Sequence, residues 1–303
     1  MIYLFLTVFF TVALFLIFRA FPALKINTFN AIVINYSTCF LLSFIFLRLP
    51  EIKSAFDSDK TWVILCYLTG ISFILTFNLI AYTVQKVNVT VATIANKMSL
   101  IIPVTASIFI LNIDNQSFSF LNYTGIILGI VAIILTSINP GKSSGYISAS
   151  ASSHSKTFYV VLPVTVFILG GLIDLSINYI NLQFLSDKNP TLFSLVAFFA
   201  AASTGIVILT YRLITKRTTL SVRDTIGGFI LGIPNYFSIV FLLKTLSYFN
   251  NNGAVVFPTM NIAVILLSAF LAYLIFKDKL SKVNIAGMLI AIIAIYLVFL
   301  KQA

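Results

Sequence analysis

Charge is confined to short interruptions between ten long apolar runs, and that pattern restricts the chain to folds that lipid surrounds. A helix needs about 20 apolar residues to cross a bilayer, and in lipid every backbone amide and carbonyl must be satisfied internally. Runs of that kind lie near 2–18, 29–47, 61–82, 88–111 and 120–138, then near 158–180, 191–211, 226–247, 253–275 and 284–300. Hydrophobic residues make up 60% of the 303 positions and charged residues only 9%, whereas a soluble domain uses about a quarter of its residues to keep charge on its surface. The expectation is an all-α integral membrane protein with ten transmembrane helices. The first run is not read as a cleaved signal, since no cation precedes it and no small-x-small site follows.

The net charge of +11 comes from Lys and Arg placed singly or in twos and threes at the ends of apolar runs. That distribution suits anchoring at phospholipid headgroups and argues against a nucleic-acid partner, which calls for a continuous basic stripe. Arg48, Arg212, Lys277, Lys279 and Lys282 read as interfacial anchors, and Lys244 as a snorkelling side chain. Cys39 and Cys66 lie inside apolar runs, so no disulfide framework is implied, and the single histidine, His154, lies in a polar stretch. Neither a metal site nor another cofactor is expected.

The longest polar stretch, Asn139–Thr157, is rich in Ser and contains Pro140-Gly141 and Gly145, the composition of a flexible linker. It divides the chain into residues 1–138 and 158–303, with 139–157 between them. Shifting the sequence by 162 positions brings Asn88 onto Asn250, Ala92 onto Ala254, Met98 onto Met260, Asn122 onto Asn284 and Gly125 onto Gly287. Self-similarity at one fixed offset marks a repeat. Five segments per half is an odd number, so the second half enters the membrane upside down relative to the first. Two inverted five-helix repeats around a central cavity are a common way to build a carrier.

Two charges stand well inside apolar segments, Lys97 and Asp174. Each costs about 2.5–3.5 kcal/mol at the centre of a membrane helix, so each is expected to face a cavity or a partner. Lys97 belongs to a stripe with Thr90 and Thr93 at helical spacing, next to Asn96. It reads either as a group that attracts a substrate anion or as a structural ion-pair or snorkelling residue. Asp174 heads a second stripe with Asn178 and Asn181. A carboxyl in a cavity of low dielectric loads and releases a proton near neutral pH, which suits a proton-coupling role; the alternatives are a cap for a break at Gly170-Gly171 or a partner for Lys97. The two lie about nine and sixteen residues into parallel segments, a difference of about 10 Å in depth, which disfavours direct pairing. Asn35, Asn78, Asn235 and Asn261 are read as substrate contacts or as hydrogen bonds between helices. Pro234-Asn235-Tyr236 reads as a kink that either exposes carbonyls to the cavity or serves packing.

The ends of segments four and nine resemble the drug/metabolite transporter superfamily, in particular its EamA-type members. That repeat carries a proline, then a Gly-Glu pair, then a glycine nine residues beyond the Glu. Pro103, Asn115-Gln116 and Gly125 hold those places in the first half; Ile265, Lys277-Asp278 and Gly287, followed by the apolar run Met288–Leu300, hold them in the second. The resemblance implies ten helices around a cavity lined mainly by segments one to four and six to nine, with the fifth and tenth peripheral, often at a dimer contact, so a monomer or homodimer is expected. Related carriers of organic anions and phosphates use lysines on the helix that bears Lys97, paired with one from the other half. Here the equivalent position is Thr259, which points to a singly anionic or zwitterionic substrate. The resemblance also places the termini in the cytoplasm of a bacterial inner membrane. The loops after odd-numbered segments hold about twice as many Lys and Arg as the others, which favours the opposite orientation.

The function expected from these features is a secondary transporter of a small, amino-acid-like metabolite working by alternating access, not an enzyme. No G-x-x-x-x-G-K-[ST] phosphate loop is present. A membrane-embedded lipid enzyme and a channel or receptor are the other readings, and clustered interfacial acids or histidines that would favour an enzyme are missing from the sequence.

Overall fold

Lipid leaves the backbone no partner but itself, and the computed structural model, which describes residues 2–47, 61–103, 106, 119–138, 156–184, 191–249, 253–278 and 280–298, consists there of helices joined by short turns and irregular connections. Ten helices follow in order: α1 Ile2–Ala20, α2 Thr28–Phe46, α3 Thr61–Lys86, α4 Val89–Met98, α5 Phe120–Ile138, α6 Lys156–Phe184, α7 Thr191–Ile214, α8 Val222–Tyr248, α9 Gly253–Phe276 and α10 Lys282–Val298. Seven of them are long and apolar enough to cross a membrane, and α4, α5 and α10 are shorter apolar helices. The shortness of α4 has a local cause. The chain turns at Ser99-Leu100 and resumes helix over 101–103.

Several ends are capped by side chains. Asn27 and Asn88 accept the amides of Asn30 and Val91 at the starts of α2 and α4, the geometry that favours Asn just before a first turn. At α5 the Asn122 side chain accepts Ser119 N at 2.9 Å, and at α10 Asn284 accepts Ser281 N at 3.0 Å. These two caps stand 162 positions apart, the offset of the sequence self-similarity.

The packing keeps the same offset. α5 and α10 lie antiparallel, the start of each against the end of the other. Asn122 donates to Val298 O at 3.0 Å, and Asn284 donates to Thr136 O at 2.6 Å. A Cβ on Gly125 would meet Val298 N and Ala294 O, and one on Gly287 would meet Thr136 N and Ala132 O. Every partner in one set is matched in the other by adding 162. The same holds elsewhere in the bundle. A Cβ on Gly232 of α8 would come within 2.6 Å of Thr38 Cβ and 2.9 Å of Asn35 O on α2; one on Gly70 of α3 would strike Ala200 Cβ and Ala197 O on α7.

Helix pairs in lipid gain little from the hydrophobic effect, and small residues that let backbones approach closely take its place. The buried core gathers around α1–α4 and α6–α9, with Trp62, Tyr36, Phe18, Phe21 and Phe198 among its largest fully enclosed side chains. A second cluster joins α5 and α10 to Ile94 and Met98 of α4. α6 continues through Gly170-Gly171 and α8 through Pro234 without a break in the helix.

The α5–α10 contact yields a direct test. Gly125→Leu or Gly287→Leu drives a side chain into the facing backbone and is expected to lower stability by about 1–3 kcal/mol, the usual cost of overpacking. Thermal unfolding of the purified protein in detergent measures this, and an unchanged midpoint for either variant would refute the contact.

Candidate functional site

The site grows from the break in α4. Gly170 sits against Ser99, where a Cβ would lie 3.1 Å from the Ser99 hydroxyl, and Gly171 sits against Ile102. Two successive glycines thus let α6 approach the turn closely. One helical turn beyond Gly170, Asp174 accepts a hydrogen bond from Ser99 Oγ at 3.1 Å. The segment is held from the other side by Asn261 of α9, whose amide donates to Lys97 O at 3.1 Å.

Lys97 and Asp174 are half-buried, and both line one cavity of about 230 Å³. Side chains from α1–α4 and α6–α9 surround it, the set of helices that the family resemblance implies, and none of the lining residues comes from α5 or α10. Asn96, Asn235, Ser238, Thr7, Thr11 and Thr76 add polar groups to the wall. Its aromatic part is a connected cluster. Phe18 meets Phe77 with ring centroids 5.6 Å apart, Phe77 meets Tyr36 at 5.4 Å, and Phe198 lies 6.1 Å from Tyr36 and 6.2 Å from Phe73. No ion pair within 4.0 Å joins Lys97 to Asp174, although each lies within the field of the other.

The residues picked out from the sequence separate into two groups. Lys97, Asn96, Asn235 and Asp174 share the cavity wall. Thr93, Asn35, Asn78, Tyr236 and Asn261 do not line it. Thr93 is fully buried and donates to Val89 O, the backbone four residues earlier, as threonines in helices commonly do. Asn78 likewise donates to Ile74 O of its own helix. Asn35 accepts from Asn235 Nδ2 at 3.2 Å, so it positions a wall residue from behind. Tyr236 stacks on Phe46. The side chains of Asn178 and Asn181 lie outside the described residues. Asp174 caps no break at Gly170-Gly171, because the helix there is unbroken.

Three features escaped the sequence reading. Thr76 carries a buried hydroxyl with no hydrogen-bond partner on the cavity wall. Ser99, which sets the position of the Asp174 carboxylate, sits in a turn that the apolar run around it concealed. The third is Arg19, which falls just past the first apolar run and was not singled out there. It is buried and makes a bidentate pair with Asp278, Nη2 to Oδ1 at 2.8 Å and Nε to Oδ2 at 3.2 Å. Asp278 stands at the acidic place of the family motif, and the residue before it, where the family has glycine, is Lys277 with φ 54°. Only glycine adopts that left-handed backbone without steric cost, so the motif glycine has a backbone reason that this chain overrides.

Residues 1–138 match the EamA-like transporter family. The match bears out, over the first half of the chain, the resemblance to EamA-type members of the drug/metabolite transporter superfamily. An uncharacterized protein of Haemophilus influenzae is 24% identical over 276 residues, which cover 89% of this chain and 88% of that one. A solved crystal structure that is 11% identical superposes with a TM-score of 0.53 and covers 96% of this chain and 95% of its own. At that identity the likeness shows the fold alone, across both halves.

The Lys277 backbone generates a prediction. Lys277→Gly is expected to raise stability by about 1 kcal/mol, since it removes the cost of a left-handed residue with a Cβ. Thermal unfolding decides this, and a lower midpoint would count against the backbone assignment.

Proposed function

We propose that this chain is an EamA-type secondary carrier, built from two inverted five-helix repeats, that moves a small zwitterionic or singly anionic metabolite by alternating access. The observation that carries the reading is a pair of opposite charges, Lys97 and Asp174, which face one cavity without an ion pair between them. Such charges in a membrane interior are retained where a ligand or ion uses them. A molecule with a carboxylate and an ammonium group satisfies both, and its apolar portion rests on the aromatic cluster around Tyr36 and Phe77. The cavity volume of about 230 Å³ falls below the roughly 300–1,000 Å³ of pockets for drug-sized ligands, which favours a metabolite of amino-acid size over a bulky drug.

The repeat reading draws its support from the reciprocal contacts at offset 162, which relate α5 to α10 and the α3–α7 pair to the α8–α2 pair. Two such halves exchange conformations to open a common cavity first to one side and then to the other. Asp174, held by Ser99 beside that cavity, is the group we assign to proton coupling. The chain belongs on this reading to a bacterial inner membrane, working as a monomer or as a homodimer, with lipid and its small-molecule substrate as its partners.

The test begins with a thermal-shift screen of the pure protein against metabolites, because a ligand that binds the folded state raises its apparent stability. The compound found is then followed in proteoliposomes. Saturable counterflow is expected, falling about tenfold or more in Lys97→Ala, the scale of losing one charge-assisted hydrogen bond. Asp174→Asn is expected to lose accumulation driven by a proton gradient, with residual counterflow weakened by loss of the carboxylate that meets the substrate's ammonium group. Ohmic current without saturation would establish a channel instead, turnover of a lipid in detergent would establish an enzyme, and proton-driven accumulation by Asp174→Asn would remove the coupling role.

A further inference from the structure

One end of the bundle is tied across the two halves by groups that the cavity does not use. α1 and α2 reach this end at residues 20 and 28, α8 starts here at 222, and α9 finishes here at 276. Arg19 of α1 forms its bidentate pair with Asp278 beyond α9, with side chains only 7% and 5% exposed, and its guanidinium also lies 5.6 Å from the centroid of the Phe276 ring. Asp224 at the start of α8 accepts Asn30 Nδ2 of α2 at 2.9 Å and Asn27 N at 2.7 Å. Phe18, the residue before Arg19, belongs to the cavity wall. The ion pair therefore lies one residue past the cavity on this side. Towards the other end of α1, the contacts across the halves include a hydroxyl pair, Thr7 with Thr245 at 3.4 Å, the Tyr3–Phe241 ring stack at 6.2 Å and the Lys244 ammonium 5.8 Å from the Tyr3 ring centroid; none of these is an ion pair.

We propose that the Arg19–Asp278 ion pair is a conformational lock that keeps this end of the cavity shut and breaks once in each transport cycle. The inference rests on the carrier reading. Two features point to a lock and not to mere support. First, a buried ion pair adds little net stability over an apolar pair of the same volume, and its attested use is to select one arrangement among competitors. Here it selects the arrangement with α1 against α9. Second, the repeat gives the pair no charged counterpart. The offset of 162 makes positions 181 and 116 the counterparts of 19 and 278, and the residues there are Asn181 and Gln116, which carry no charge. The charged lock biases the resting protein toward the state with this end closed, and opening it requires the pair to separate or to be exchanged for other partners.

The test uses the full chain in oriented membrane vesicles, with Cys39 and Cys66 replaced by alanine and one cysteine introduced at Thr11, a wall position. A membrane-impermeant maleimide is applied from the side of the α1–α2 loop. Labelling is expected to be slow with the lock intact and to rise about fivefold or more in Asp278→Asn and in Arg19→Gln, the lower range of conformational coupling. The exchanged pair, R19D with D278R, is expected to return to slow labelling. Rates equal to the intact lock in both single variants would overturn the proposal, as would fast labelling by the exchanged pair. The two neutral variants guard against misfolding, since labelling of Thr11→Cys from the opposite side is expected to persist in each only if the bundle is intact. The readout needs no substrate. Failure of counterflow with the labelling change present removes the carrier reading, and intact counterflow with no labelling change removes the lock alone.

Discussion

The close approach of helices at glycine is the contact on which everything else in this bundle depends. In lipid, two apolar helices gain almost nothing by leaving hydrocarbon for each other, so association comes from van der Waals contact and from hydrogen bonds between backbones brought near. Gly125 and Gly287 bring α5 and α10 together, and Gly70 and Gly232 seat α3 on α7 and α8 on α2. Asn122 and Asn284 each cap their own helix and tie it to the last carbonyls of the other. With α5 and α10 joined to each other, the remaining eight helices are left to enclose the cavity.

That enclosure decides the chemistry. Gly170 and Gly171 let α6 lie against the turn in α4, and the turn delivers Ser99 to Asp174. Asn261 fixes the backbone of Lys97 from α9. Two opposite charges are thus held at separate places on one wall, beside aromatic rings that contribute no charge of their own. A cation and an anion that do not neutralise each other in a low-dielectric space suit a ligand bearing both signs. The same helices that build the wall extend past it into the Arg19–Asp278 and Asn30–Asp224 ties.

Much of the architecture was legible in the sequence because lipid imposes a simple rule. Apolar runs become helices, and most helix boundaries follow the runs to within a few residues; the fourth run, read as 88–111, is interrupted by the turn at Ser99-Leu100. The reciprocal contact of α5 with α10 was legible from Asn122, Asn284, Gly125 and Gly287, since capping and close packing admit few substitutes. The site was legible where a charge stood alone in an apolar run, as with Lys97 and Asp174. It was obscured where polar residues satisfy their own helix. Thr93 and Asn78 carry the residue types of a binding stripe, yet each bonds to a carbonyl one turn earlier. Arg19 was hidden for the converse reason: it sits at the end of an apolar run, where cations usually meet headgroups, and only the fold brings Asp278 across to it. Periodicity along one helix reports which face a residue shares, not which neighbour that face receives.

The account stands on two halves inserted in opposite senses, and sidedness measures that directly. Phe120 and Lys282 are equivalent positions at the starts of α5 and α10. Single cysteines placed there, in a chain with Cys39 and Cys66 replaced, are to be labelled with an impermeant maleimide from one side of a sealed membrane. The account predicts that the two react from opposite sides. Labelling of both from the same side would contradict it.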